Sequence, residues 1–176
     1  MRLNILIGGK AGQGINKISE IVAKVMNRYG YYTFNYRDYP SLIRGGHNFN
    51  VLCISDKKIG SFDSRLDGIV AMDDLTVDLH NSELRKGGFV ITPTGFEDLG
   101  RNLNVAQSGA LIKLLGLPEK YIIDEVKSQF HNKDSNKAAR LGYLSKENKF
   151  NLKKLSNKIK NMVGNVGIAT GARSEE

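Results

Sequence analysis

The chain has 176 residues, 40% hydrophobic and 25% charged, a composition that excludes a disordered segment and suits one folded domain. Its one cysteine, Cys53, excludes an internal disulfide and any iron–sulfur cluster ligated by cysteines of this chain alone. No apolar run approaches the ~20 residues of a membrane span, the N-terminus has no signal-peptide pattern, and the net charge is +8, so a cytoplasmic protein with no membrane partner is expected.

In chain order, residues 3–7 form a short apolar run ending in Gly8-Gly9, which suits a buried strand. From Ile15 the period changes. Ile15, Ile18, Val22, Val25 and Met26 recur at three- and four-residue steps among Lys17, Glu20, Lys24 and Arg28, an amphipathic helix with Gly30 placed to cap it. Residues 31–37, rich in aromatics and Thr, read as a second strand. Strand, glycine loop, helix and strand predict a parallel β-α-β opening. A strand over 48–55 follows, and Asp56-Lys57-Lys58 turning into 59–61 suggests a hairpin. Further strands are expected over 68–72 and 89–91, separated by a polar helix near 75–84 that Asp73 or Asp74 would cap.

The last part reads as helical. An amphipathic helix over 103–115 contains Gly109. Pro118 opens a helix presenting Ile122, Val126 and Phe130 on one face, and helices follow over 136–144 and, lysine-rich, over 152–162. The charge gathers here: residues 120–160 carry 11 basic and 4 acidic side chains, against 14 and 12 in residues 1–119. With no zinc-finger spacing or regular aromatic interleaving, this excess reads as solvated helix faces and not as a nucleic-acid site. The fold class expected is α/β: a single domain with a mostly parallel sheet flanked by helices and a helical C-terminal extension.

Two loops carry the chemistry. Gly8-Gly9-Lys10-Ala11-Gly12-Gln13-Gly14 joins the first strand to the first helix, where backbone N–H groups favour an anion and Lys10 adds charge. It is not a P-loop, since Ile15-Asn16 stands where Lys-Ser/Thr is needed. It is a poor dinucleotide fingerprint, since Lys17 replaces the third small residue. A tight turn that binds nothing is the alternative. The second loop, Tyr39-Pro40-Ser41-Leu42-Ile43-Arg44-Gly45-Gly46-His47-Asn48, sets Arg44 and His47 around two glycines. Arginine offers a planar fork suited to phosphate or carboxylate, and paired glycines allow close approach of another surface. Both loops follow strands of one sheet and should emerge as neighbours at its carboxyl edge.

Taken together, these two motifs resemble the gamma domain of 2-oxoacid:ferredoxin oxidoreductases. The resemblance continues at Asn104-Val105-Ala106-Gln107-Ser108-Gly109-Ala110, at Leu114-Leu115-Gly116-Leu117 and near Asn136 and Gly142-Tyr143. The segment Gly164-Asn165-Val166-Gly167-Ile168-Ala169 is similar to the start of alpha regions in fused members, with Val166-Gly167 departing from the usual pair. Residues 1–162 are therefore expected to be a gamma domain and 163–176 a linker into an alpha-like region, with the alpha part missing after Glu176. The resemblance implies oxidative decarboxylation of a 2-oxoacid to an acyl-CoA with reduction of ferredoxin, thiamine diphosphate and iron–sulfur clusters being held by partner subunits. It implies alpha and beta subunits as partners, ferredoxin as an indirect one, and no activity in the isolated chain.

For the site, Gly12, Gln13, Gly14 and Arg44 are candidates for coenzyme A binding, and Ser41, Arg44, Gly45, Gly46 and His47 for a subunit interface. Arg44 stays open between phosphate and a partner's carboxylate. No catalytic residue is assigned: Cys53 lies in a β-like run without an activating neighbour, and His47 is a titratable group beside a strand. His80 and His131 lack ligand spacing, so no metal is expected. A stand-alone nucleotide- or CoA-binding α/β module and a purely structural assembly subunit remain as alternatives, as does a homodimer of the isolated chain.

Overall fold

Strand alternation divides this molecule into two unequal faces. In the computed structural model, which describes residues 1–38, 46–61 and 64–159, a five-stranded sheet runs in the order β2-β3-β1-β4-β5. The strands are β1 (Arg2–Lys10), β2 (Tyr32–Asp38), β3 (His47–Ser55), β4 (Leu66–Ala71) and β5 (Leu84–Ile91). The helices are α1 (Ile15–Arg28), α2 (Asp74–His80), α3 (Leu103–Leu114), α4 (Glu119–Gln129) and α5 (Lys133–Leu144). Side chains alternate across a strand. Ile5 and Ile7 of β1 and Leu52 and Ile54 of β3 therefore join α1, α3 and α4 in one large core, while Leu6, Val51, Cys53 and Ile69 point to the opposite face.

The large core is fully covered. Along α1, Ile15, Ile18, Ile21, Val22, Val25 and Met26 are buried on its apolar stripe. Its end is closed by Gly30 at φ 98, with Gly30 N–H donating to Asn27 O (3.1 Å) and Tyr31 N–H to Met26 O (3.0 Å), a paired cap that needs a left-handed residue. Helix α3 was expected to be amphipathic. It is buried from Val105 to Ile112, because the sheet, α1 and α5 surround it. Two glycines permit this: a Cβ at Gly109 would meet Ala139 O, and one at Gly142 would meet Ala106 O, so α3 and α5 touch backbone to backbone.

The α/β domain with one helix-flanked sheet agrees with the expectation, and its strand pairing refines it. The expected mostly parallel sheet is mixed: β1–β4 and β4–β5 are parallel, β1–β3 and β2–β3 antiparallel. β2 does run parallel to β1, but β3 returns between them, so the opening β-α-β unit is split. The hairpin expected after β3 is absent, since both edges of β3 are already paired, Ile54 with Leu3 and with Thr33.

The predicted helix over 152–162 is also corrected. Residues 151–159 are irregular, and residues 160–176, including the alpha-like segment, lie outside the described residues. The segment is an extended strap whose backbone groups are satisfied by distant partners, which replaces the helical ladder. Lys149 and Phe150 N–H donate to Leu114 O, Leu152 N–H to Leu115 O and Leu155 N–H to Tyr29 O, while Tyr31 Oη donates to Lys153 O. Phe150, Leu152 and Leu155 pack on the large core. Gly30 and Gly116 are the landing points, because a Cβ there would meet Leu155 O and Phe150 O. Among the described residues no helix is long and apolar enough to cross a membrane.

Candidate functional site at the glycine turn

The turn after β1 is built by glycines where other residues would not fit. Gly12 and Gly14 adopt φ 95 and 87, a region that costs a side-chain-bearing residue energy. A Cβ on Gly14 would also lie 2.6 Å from Asn104 Nδ2, and one on Gly9 would strike Met72 Cβ at 2.6 Å. Gln13 folds back over the turn: its Oε1 accepts from Lys10 N–H (2.6 Å), and its own N–H donates to Lys10 O (3.1 Å). The carbonyl of Gln13 is thus committed to shaping the loop.

Gly14 is the N-cap of α1, which has no side-chain cap and no acidic residue in its first turn. Lys17 and Ile18 N–H both turn to Gly14 O. A helix start of this kind carries partial positive charge with no local anion to neutralise it. The start is rigidly held. Asn50 of β3, fully buried, donates through Nδ2 to Asn16 Oδ1 (3.0 Å) and Ser19 Oγ (3.0 Å), tying the first turn of α1 to the sheet.

The expected adjacency of the two loops is found. Ala11 N–H donates to Gly46 O at 3.1 Å, and Lys10 stands opposite His47 in the β1–β3 register. Ser41, Arg44 and Gly45 lie outside the described residues, so Gly46 and His47 represent the second loop here. The neighbouring carboxyl end of β4 supplies polar groups that the sequence did not single out for the site. Met72 N–H donates to Gly8 O (2.8 Å), and fully buried Gln107 of α3 donates through Nε2 to Ala71 O (2.8 Å). Asp73 caps α2, accepting from Thr76 N–H and Oγ1, as its position after a strand predicts.

His80 is the other residue missed. It is buried, with Nε2 3.0 Å from His47 Nε2 and Nδ1 2.6 Å from Glu83 Oε1. Burial, reinforced by the His80 charge and opposed by Asp73, holds His47 below the usual imidazole range. Among the described residues no group of three or more metal-ligating side chains converges, and Cys53 is a buried free thiol.

Three acceptor oxygens at this edge, Asp73 Oδ2, Asn104 Oδ1 and Gln107 Oε1, are buried without a hydrogen-bond partner. Acceptors suit hydroxyl or amine donors and oppose phosphate, whereas the bare α1 start and Lys10 suit phosphate. The edge therefore offers two chemically distinct halves, one suited to an anion and one to hydrogen-bond donors.

The model of the pyruvate ferredoxin/flavodoxin oxidoreductase family matches residues 4–102, more than half of the chain, including the glycine turn and nearly all of the sheet. The chain belongs to this family. Among curated relatives, the 2-oxoacid:ferredoxin oxidoreductase subunit alpha of a Sulfolobus species is 40% identical over 80 residues, 46% of this chain and 13% of that protein. The chain thus spans a small part of the length of that relative. The fold is that of solved gamma subunits. The keto/oxoacid ferredoxin oxidoreductase gamma subunit of Geobacter sulfurreducens aligns with a TM-score of 0.69 and 22% identity, covering 82% of this chain and 95% of that one. A chain of the Magnetococcus marinus 2-oxoglutarate:ferredoxin oxidoreductase, solved with 2-oxoglutarate, coenzyme A and succinyl-CoA, aligns at 0.78 and 16% identity over 98% of this chain and 37% of that one.

Proposed function

We propose that this chain is the gamma component of a multisubunit, cytoplasmic 2-oxoacid:ferredoxin oxidoreductase, assembling with alpha- and beta-type subunits, and that its glycine-turn edge handles coenzyme A. The observation that carries the ligand half is the α1 start at Gly14: rigidly tethered through Asn50, uncapped by any side chain, free of acidic residues in its first turn, and preceded by Ala11, which donates to Gly46 O. Backbone amides at such a start, with Lys10 in the same turn, would hold a pyrophosphate, and Arg44 is assigned by its sequence position to the same ligand. Asp73, Asn104 and Gln107 would accept from hydroxyl or amine groups of the same ligand.

Coenzyme A supplies the thiol that accepts the acyl group in the overall reaction of 2-oxoacid, coenzyme A and oxidised ferredoxin to acyl-CoA, carbon dioxide and reduced ferredoxin. This chain's residues bind and orient. Thiamine diphosphate and iron–sulfur clusters are assigned to partner subunits, and the bond-making steps with them. Which 2-oxoacid is used depends on those partners.

The assembly half is tested by co-expression with candidate alpha- and beta-type subunits. Stable co-purification is expected, and failure to associate would remove the reading. The ligand half is tested by calorimetry of the assembled complex with coenzyme A. An Arg44→Ala variant should bind about tenfold or more weakly, as loss of a charge-assisted phosphate contact requires. Unchanged affinity would leave assembly as the whole role.

A further inference from the structure

His47 and His80 meet from elements 33 residues apart. His47 opens β3 opposite Lys10, and His80 ends α2. Their Nε2 atoms are 3.0 Å apart, and the other ring nitrogen of His80 is 2.6 Å from the Glu83 carboxylate, on the single 3-10 turn Asn81–Glu83 that follows α2. Phe49 closes the corner, edge-on to His80 at 4.8 Å and stacked on His47 at 6.0 Å. Among the described residues, the charged groups on the elements that carry the pair are Lys10, opposite His47 at the end of β1, Asp73 at the α2 N-cap, Asp74 and Asp78 on α2, and Glu83 on the following turn.

The proton count follows from donor and acceptor chemistry. An ionised carboxylate only accepts, so the Glu83 contact requires a proton on His80 Nδ1. Neutral His80 then presents a lone pair at Nε2, and His47 must donate to it from its own Nε2. One added proton can be accommodated: His80 becomes a cation against Glu83, donates from Nε2, and His47 changes tautomer to accept. A second proton cannot. Both Nε2 atoms would then carry hydrogens and face each other as cations at 3.0 Å.

We propose that His47 and His80 form a proton-limited latch, which carries one positive charge but not two, pins α2 and the following turn to the second face of the sheet, and releases them on acidification. The arrangement reaches the glycine turn directly, because Thr76 of α2 lies against Gly8, where a Cβ would meet its Cγ2 at 2.5 Å. Proton occupancy of the pair is therefore coupled to the strand that carries the candidate site. The sign is fixed by burial: His47 is held below the ordinary imidazole value near 6.5, so the latch is intact above that value and is lost as the pH falls through the lowered one.

The test uses the full chain, ¹⁵N-labelled, from about pH 8 to about pH 5. Long-range proton–nitrogen spectra should show the Nε2–H tautomer of His47 and the Nδ1–H tautomer of His80 at the upper end. The pair should take up its protons in two linked steps, the second of which breaks the Nε2–Nε2 contact. Hydrogen exchange of residues 77–83, corrected for its intrinsic pH dependence, should accelerate about tenfold or more with the second step. His80→Gln, whose amide can accept from His47 without taking a proton, should remove this acceleration, and Glu83→Gln, whose amide can also donate, should loosen the preference of His80 for the Nδ1–H tautomer. Independent titration of the two rings, flat α2 protection across the range, or an unchanged profile in His80→Gln would each overturn the latch.

Discussion

The two faces of the sheet are finished to different standards. On one, α1, α3, α4, α5 and the C-terminal strap bury a continuous core with Ile5, Ile18, Met26 and Leu111 all at 0% exposure. On the other, the helical cover among the described residues is the seven-residue α2 with its short 3-10 turn; Leu6, Cys53 and Ile69 are buried there, while Phe34, Tyr36 and Phe49 stay half-buried and Leu75 and Leu79 of α2 are 42% and 51% exposed. Pairing explains the division. Parallel strands need cover on both sides, and α2 sits over β1 and β4, the parallel half; the antiparallel edge strand β2 keeps Phe34 and Tyr36 only half-buried. The larger share of the core therefore lies on the first face, and the second carries a smaller cluster under α2.

The sharpest way to break this comparison is at the α3–α5 crossing. Gly142→Val should destabilise the fold by about 3 kcal/mol or more, because the added atoms meet the Ala106 carbonyl with no room to relax. Denaturant melts that leave the midpoint unchanged would show that the crossing does not hold the first face together. Next, Ile18→Ala should cost about 3 kcal/mol through its cavity, whereas Leu79→Ser on the open face should stay within about 0.5 kcal/mol. Equal losses would erase the distinction between the faces. The same Leu79→Ser variant should impair co-purification with partner subunits if the open face contributes to assembly.

A smaller effect belongs to the turn. Gly14→Ala should destabilise by about 1–2 kcal/mol, from its φ of 87 and the Asn104 contact, and should weaken coenzyme A binding further than stability alone accounts for. Smallest is the surface carboxylate of Glu20. Burial pushes it up, but hydrogen bonds from Lys24 and Lys17 outweigh this and lower it, so its stabilisation is present above the ordinary carboxylate range and is lost as the pH falls. Its pairs with Lys17 and Lys24 lie in solvent-screened positions, and Glu20→Gln should change the stability at neutral pH by no more than about 0.5 kcal/mol.

Much of this architecture was legible because local rules agreed with the tertiary result. The stripe of α1, the Gly30 cap, the Asp73 cap and the adjacency of the two loops all follow from periodicity, φ preference and strand order. Other features depended on partners far away in sequence. β3 returns between β1 and β2 because its both-sided pairing uses residues near 3 and near 33, and nothing inside β3 states this. The lysine-rich segment over 152–159 has helical spacing of Leu152 and Leu155, yet distant carbonyls and hydroxyls bind its backbone first. At the site, Gly12, Gln13 and Gly14 were visible as a turn, but the use of Gln13 Oε1 to brace Lys10 was not. His80 was hidden for the same reason: its partners are His47 across the sheet and Glu83 one turn on, and ligand spacing was the wrong template for a hydrogen-bonded pair.

The strap has a mechanical meaning beyond its packing. Its anchors lie in series along one extended strand of polypeptide: Asn157 to Gly30 O, Leu155 to Tyr29 O, Lys153 to Tyr31 Oη, Leu152 to Leu115 O, and finally Phe150 and Lys149 to Leu114 O. A tension applied from the C-terminal side would load these one at a time, as a peeled tape loads its adhesive front, and not all together as in a sheared sheet. The caps of α1 and α3 would then feel a pull in a fixed order, α1 first. Any motion of polypeptide attached beyond residue 159 would reach the far end of α1 before it reached the rest of the fold.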